Sequence, residues 1–503
     1  MTKIKRNTAL LAASAAVLTL TVPLAASAST AADAADAADA AVTGLDWGEC
    51  EGRAPGSRQE CAVLDVPMDY AHPEGEKIQI AVSRVRSEKP AARRGALLLI
   101  PGGPGGSGLD GPSGKGQKLP RSVRDAYDLI GFDPRGLGRS TPVSCGFEQG
   151  DLAPSALRPW PGPDGSVAEN MVTAKRQSDA CARNGGELIR NISTANNARD
   201  IDRIRAALGE ERLSAWAVSY GTYVGAVYSQ LFPHRTDRVV LDSNDDPDPA
   251  RVGRGWLAAH ERGVEDTFPE FAEWASAPGN DHRLADTAAE IRPLFLRLAA
   301  RLDREPIPWP GANPAVLNGN VLRQTMLNAM DDPDDDFPGL ARLMNGALTG
   351  DLPPAPPAPP EKPLQNSVAV GSATLCNDVA WPTSPAHYQK GVTESRAKYP
   401  LTAGMPRNAM LCAAWPFEPK EDPVRITDRG PSNILLAQNE RDPNTPLSGA
   451  LKLREALGRR AVMVTADATG HDTYLANGNA CGDRTVSRFL ATGKRPAHDT
   501  YCE

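Results

Sequence analysis

The sequence predicts an α/β fold, a mostly parallel, doubly wound sheet that carries an inserted block of helices. Three observations predict it. Short apolar strands alternate with helix-compatible stretches from Ala96 to Asp242, the pattern of strands joined by helical crossovers. The alternation stops between about Ser243 and Arg429 and resumes at Asn433. Several strands run directly into loops of small or charged residues, at the strand ends where open α/β sheets place their chemistry.

The chain begins with Lys3, Lys5 and Arg6 before an apolar run from Thr8 to Val22 that ends at Ala26-Ser27-Ala28, the form of a secretory signal peptide over residues 1–28. A repeated Ala-Ala-Asp segment follows to Asp39. It has nothing to bury and is expected to be a pro-segment, residues 29–40. The remaining boundaries are a first core part over 41–242, a helical cap over 243–429 and a second core part over 430–503. The 55 basic and 62 acidic residues are dispersed and leave a formal charge of −7, so no basic patch points to nucleic acid. No segment after the leader approaches the twenty apolar residues of a membrane span. Eight cysteines, Cys50, Cys61, Cys145, Cys181, Cys376, Cys412, Cys481 and Cys502, form an even set at spacings that match no metal-ligand pattern, which suits disulfides in an exported chain. Sequence neighbours are the simplest partners, since they close the shortest loops. No cofactor or metal is implied.

Cys61 to Tyr70 and Lys77 to Val85 alternate apolar and polar residues, as antiparallel strands with one solvated face do. Ala96 to Ile100 is continuously apolar and reads as a strand covered on both faces. It enters Pro101-Gly102-Gly103-Pro104-Gly105-Gly106-Ser107-Gly108, a loop whose glycines free backbone N–H groups to face a ligand. The absence of G-K-[ST] excludes a phosphate-binding loop. Tyr127 to Phe132 is the next strand and ends in the charged turn Asp133 to Ser140. Asn197 to Leu208 is an amphipathic helix. Leu213 to Val218 is a strand that meets Ser219-Tyr220-Gly221, with a helix-compatible stretch behind it to Phe232. Arg238 to Asp242 closes the first run of strands. Helical segments at Thr287 to Leu302 and Val321 to Ala329 and a proline run from Pro353 to Pro363 fill the insertion. A strand from Asn433 to Ala437, a helix from Leu447 to Leu457, a strand from Ala461 to Thr465 and a helix from Asp483 to Ala491 complete the chain.

Ala217-Val218-Ser219-Tyr220-Gly221 is one methyl group away from G-x-S-x-G, the sharp strand-to-helix turn that exposes a nucleophilic serine. Such a serine needs a base and a carboxylate, in chain order Ser, Asp or Glu, then His. His471 follows the final strand in the small-residue loop Ala468 to Asp472, whereas His387 belongs to the insertion and His498 to the last six residues. Glu440 and Asp442 follow the strand before it. Asp442 is preferred, because Pro443 fixes a loop that can hold its carboxylate toward His471. The oxyanion donors are expected to be the N–H groups of Tyr220 and Gly103, since Pro104 has none. Activity is expected to rise with pH through the ordinary imidazole value of about 6.5.

Through Pro101 to Gly105, Gly131 to Gly138, Ser219 to Tyr223, Asp442 to Pro446 and Gly470-His471, the chain resembles the secreted bacterial tripeptidyl and prolyl aminopeptidases, proline iminopeptidase-like serine peptidases of the α/β-hydrolase fold. Pro101 stands where many members carry histidine, and Ala217 replaces the usual elbow glycine. The resemblance implies a secreted serine exopeptidase that releases short peptides, tripeptides or proline-containing units, from peptides with a free N-terminus. Such an enzyme must hold an α-ammonium near Ser219, and Glu440 and Asp378 are the carboxylates suggested for that task. Two other readings compete, an esterase or lipase using the same three residues and a catalytically silent binding protein on the same fold.

Overall fold

The computed structural model describes residues 44–54 and 56–503; the leader and the Ala-Asp segment lie outside them. Ten strands form one sheet in the order β1-β2-β3-β5-β4-β6-β7-β10-β11-β12. They are β1 (Gly48–Glu49), β2 (Gln59–Pro67), β3 (Lys77–Val85), β4 (Gly95–Ile100), β5 (Tyr127–Phe132), β6 (Leu213–Val218), β7 (Thr236–Asp242), β10 (Ile434–Arg441), β11 (Ala461–Thr469) and β12 (Thr500–Cys502). The pairs β1/β2, β2/β3 and β3/β5 are antiparallel, and every pair from β5 to β12 is parallel. The result is the α/β-hydrolase arrangement, with the parallel strand ends gathered along one rim.

The burial pattern follows the sheet. In β4 all six residues are buried, as a strand covered on both faces requires. Leu97, Leu99, Trp216, Val240, Leu435 and Val464 share one face with Val486, Phe489 and Leu490 of the C-terminal helix Ala480–Thr492. The other face takes the helix that follows Ser219, Tyr220–Leu231. There the backbone approaches so closely that a Cβ on Gly225 would lie 2.9 Å from Leu241 and 3.2 Å from Ala217. The turn after β5 carries Arg135, fully buried, which binds Asp200 in bidentate fashion at 2.6 and 2.7 Å and the carbonyls of Pro67, Met68 and Asn191. A buried charge persists there because its donors are satisfied.

Between β7 and β10 no strand joins the large sheet. That segment holds the helices Arg254–Ser276, Ala288–Arg304, Gly319–Ala329, Pro333–Thr349, Glu361–Asp378 and Pro385–Lys398, numbered α4 to α9 after α1 (Ala168–Asn184), α2 (Thr194–Ala207) and α3 (Tyr220–Leu231). A two-stranded hairpin, β8 (Ile307–Pro308) with β9 (Val316–Leu317), lies among them. The segment has its own core, in which Phe271 meets Phe268 and Phe337 edge to face at centroid distances of 5.7 and 5.1 Å. α5 shows the sequence logic directly. Ile291, Phe295, Leu298 and Leu302 bury one stripe, and Thr287 with Glu290 closes a capping box at its start. α4 is one of the helices of this segment that periodicity hid, because it contains Gly263 and Pro269. Gly263 is required where it stands. A Cβ there would lie 2.2 Å from the carbonyl oxygen of Pro443, so α4 rests on the loop after β10.

Four disulfides join sequence neighbours: Cys50–Cys61, Cys145–Cys181, Cys376–Cys412 and Cys481–Cys502. Cys376–Cys412 ties α8 to a segment 36 residues further on. Replacing both of its cysteines by serine should cost about 3–4 kcal/mol of unfolding free energy, the loop-closure entropy returned to the unfolded chain. The denaturant midpoint measures it, and an unchanged midpoint would mean that packing alone fixes α8.

Candidate active site

Ser219 links β6 to α3 with φ 57° and ψ −130°, a left-handed conformation that costs a non-glycine residue roughly 1–3 kcal/mol. Its surroundings hold it there. The Ser219 N–H donates to the Asp242 carbonyl at 3.0 Å, and its own carbonyl accepts from the Thr222 N–H at 2.8 Å and the Thr222 hydroxyl at 2.7 Å. The neighbours must be small: a Cβ on Gly221 would meet the carbonyl oxygens of Pro101 and Ile100 at 2.7 and 2.8 Å, and one on Gly102 would meet the Ser219 Cβ at 2.9 Å. Ala217 fits because its methyl group faces Gly225 of α3, which has no side chain to oppose it.

The glycine loop lies against this turn. Gly103 has φ 117°, and Gly106 N–H closes a turn onto the Gly102 carbonyl at 3.2 Å. Among the described residues the N–H groups of Gly103 and Tyr220 find no acceptor. Two elements brace the loop. The Asp133 carboxylate accepts from the Ser107 hydroxyl, from Leu109 N–H at 3.3 Å and from Arg139 N–H at 2.9 Å. From the other side α8 packs on it, with the Ser367 hydroxyl donating to the Gly105 carbonyl at 2.8 Å. A Cβ on Gly105 would lie 2.3 Å from the Ser367 carbonyl oxygen.

His471 Nδ1 lies 3.0 Å from both carboxylate oxygens of Asp442. Asp442, 1 % exposed, also accepts from Asn444 N–H at 2.9 Å, Thr445 N–H at 2.8 Å and the Thr445 hydroxyl at 2.9 Å. Thr445 was not singled out from the sequence, although the turn D-P-N-T is the kind in which a side-chain carboxylate caps its own following N–H groups. The loop behind His471 is pinned by Asp242, a second residue that the sequence reading passed over. Its buried carboxylate accepts from Thr473 N–H at 2.9 Å, Tyr474 N–H at 3.1 Å and Trp216 Nε1–H at 3.0 Å. Asp472 N–H donates to the Ser243 hydroxyl at 3.0 Å, and His471 N–H donates to the Asp331 carbonyl of the helical segment at 2.8 Å.

Burial works to lower the His471 pKa, but the Asp442 charge and hydrogen bond, with Asp472 and Asp331 nearby, outweigh it and lift the imidazole above its ordinary value. The expected midpoint near 6.5 is corrected upward. Burial and Asp472 push Asp242 above the usual carboxylate range, against the pull of Lys115 and its three donors.

The two carboxylates suggested for an ammonium group are engaged elsewhere. Glu440 lies within β10, not on an extended loop. Its carboxylate accepts from the Tyr501 hydroxyl of β12 at 2.6 Å and lies 3.6 Å from Arg441 Nη1. Asp378, at the end of α8, accepts from Thr194 N–H at 2.7 Å and the Thr194 hydroxyl at 2.5 Å. It caps α2, and burial pushes it up to about 7.

Neutral imidazole is the form that can take a proton from Ser219. Covalent labelling of Ser219 by a fluorophosphonate should therefore rise with pH along a single ionisation whose midpoint lies above about 6.5. A midpoint at or below that value would mean that Asp442 does not hold the imidazolium. Asp242→Asn should slow the same labelling roughly tenfold by loosening the loop behind His471, and an unchanged rate would remove Asp242 from that role.

Residues 95–329 match the family described as alpha/beta hydrolase fold, and residues 397–502 match the one described as TAP-like protein. The tripeptidyl aminopeptidase of Streptomyces lividans is 32% identical over 486 residues, covering 92% of this chain and 87% of that protein. The serine protease Hip1 of Mycobacterium tuberculosis is 28% identical, covering 91% of each. A protein of the same organism named carboxylesterase B is also 28% identical, covering 88% of this chain and 86% of its own. With identity of that order sustained across nearly the whole chain, this protein belongs to the tripeptidyl aminopeptidase family of α/β hydrolases.

Proposed function

We propose that the protein is a serine exopeptidase that releases tripeptides from the free N-terminus of peptide substrates. The observation that carries this reading is the joint placement of a left-handed Ser219 and an Asp442-paired His471 on the rim of parallel strand ends, in a member of this family. With Nδ1 of His471 held by Asp442, Nε2 is the nitrogen left to act as base. It takes the Ser219 hydroxyl proton as Oγ attacks the scissile carbonyl. The carbonyl oxygen becomes an oxyanion that the unengaged N–H groups of Gly103 and Tyr220 can receive. His471 then returns the proton to the leaving amine, which departs as the shortened peptide. Water, activated by the same imidazole, releases the tripeptide from Ser219 and regenerates the hydroxyl. The helical segment 243–429 serves as the cap over this rim and limits access to chain ends. A cleaved leader over residues 1–28, a pro-segment over 29–40 and four disulfides suit export to an oxidising compartment.

The similarity to a protein named carboxylesterase B favours one alternative, ester hydrolysis by the same residues. A panel of chromogenic amides of one, two and three residues, with matched esters, separates the two. The tripeptide amide should give the highest kcat/KM among the amides, and preference for simple acyl esters over every amide would overturn the exopeptidase reading. Ser219→Ala and His471→Ala should each abolish turnover without shifting the unfolding midpoint, because such residues act as a unit. Asp442→Asn should lose roughly 10⁴-fold in kcat through the wrong imidazole tautomer; activity within tenfold of wild type would displace Asp442 from the triad.

A further inference from the structure

Asp245 is 6 % exposed, yet its carboxylate accepts no hydrogen bond and forms no ion pair among the described residues. It lines a cavity of about 390 Å³ between α4, α9 and the turn after Asp442, together with Trp256, Trp381, Tyr388, Asn444 and Thr445. The other acids around this cavity are compensated. Asp246 pairs with Arg251 at 3.0 Å and Lys452 at 2.6 Å, and Glu261 pairs with Arg407 at 2.6 Å. Arg262 is held by Asp266 at 2.7 Å, and Arg254 directs its guanidinium to the Ala250 carbonyl at 2.7 Å. Of the acids lining the cavity, Asp245 alone forms no ion pair among the described residues. Burial pushes its carboxyl up to about 8, Asp442 and Asp246 add to the shift, and only His471 opposes it.

A carboxyl in that state is stabilised by any cation that reaches it. The walls suit a cation as well, since aromatic faces attract ammonium groups. Trp256 is fixed edge-on against Tyr220 and Tyr223 at 6.1 and 5.1 Å. The site also lies close to the nucleophile: Asp245 N–H donates to the Thr222 hydroxyl at 3.3 Å, in the first turn after Ser219. Three extended residues span about 10 Å, which is the order of distance such a receptor must bridge.

We infer that this cavity receives a primary ammonium group of the substrate, with Asp245 as its counter-ion and Trp256, Trp381 and Tyr388 as its walls. The inference rests on the exopeptidase reading, in which every substrate carries an α-ammonium. A substrate lysine side chain would bring the same chemistry from a second source.

The test compares wild type with Asp245→Asn on three substrates: trialanine p-nitroanilide, its N-acetyl form, and an N-acetyl tripeptide p-nitroanilide with a central lysine. Turnover of the first by wild type decides the exopeptidase reading independently of the variant. A KM raised roughly ten- to hundredfold for the free-amine substrate alone, with kcat within about twofold, supports capture of the α-ammonium. The same change confined to the lysine substrate supports an ammonium site filled by a side chain. Equal changes in all three, or none, overturn the proposal. Fluorophosphonate labelling and the unfolding midpoint report whether the variant is folded. Should it not fold, wild type decides the matter: n-butylammonium should inhibit cleavage of the free-amine substrate competitively where n-butanol at the same concentration does not, and equal inhibition by both, or by neither, overturns the site.

Discussion

The turn at Ser219 is the constraint on which the rest of the site depends. A serine in the left-handed region persists only if the strands around it leave room for the backbone and replace the hydrogen bonds that a strand end would lose. Asp242 meets the second need and also braces the base. Its carbonyl accepts the Ser219 N–H, and its carboxylate holds the two N–H groups that follow Asp472. The nucleophile and the base are thus referenced to one residue at the end of β7. The close approaches at Gly102 and Gly221 then fix where the glycine loop can run, so the two free N–H groups inherit their position from the same turn.

Electrostatics around His471 are decided by which carboxylate is best supplied with donors. Asp442 has three hydrogen-bond donors besides the imidazole. Asp472 lies 3.8 Å from His471 Nε2 but is drawn toward Lys115 at 3.0 Å. Asp331 gives one oxygen to Asn444 at 2.8 Å, and burial raises it to about 6. Three carboxylates around one imidazole would repel each other if all were equally charged. The uneven distribution of donors leaves Asp442 as the strongest partner and ranks the others behind it.

Much of this was legible in the sequence because it is written in local patterns. The strands Lys77–Val85 and Tyr127–Phe132 and the helix Leu447–Leu457 have the bounds that alternation and apolar runs indicate. The pairing of Asp442 with His471 followed from chain order, and the sequence separation of the cysteines indicated the disulfide pairs. What failed to show depends on contacts between distant segments. α4 is interrupted by Gly263 and Pro269, and only the loop at Pro443 explains the glycine. Glu440 looked like a loop residue because the strand signal ended at Ala437, whereas pairing with β11 carries the strand on to Arg441. Asp242 and Asp245 are ordinary acids in a run of five residues containing three others of similar polarity; nothing local marks one as a clamp and the other as unpaired.

The disulfides close in strict succession: each pair, from Cys50–Cys61 to Cys481–Cys502, is complete before the next cysteine occurs in the chain. No bridge encloses or crosses another. If the chain enters an oxidising space N-terminus first, each cysteine finds its proper partner as the sole free thiol available, so the order of arrival selects one set out of the 105 that eight cysteines permit. A protein wired in this way has little need of thiol exchange to correct its connections.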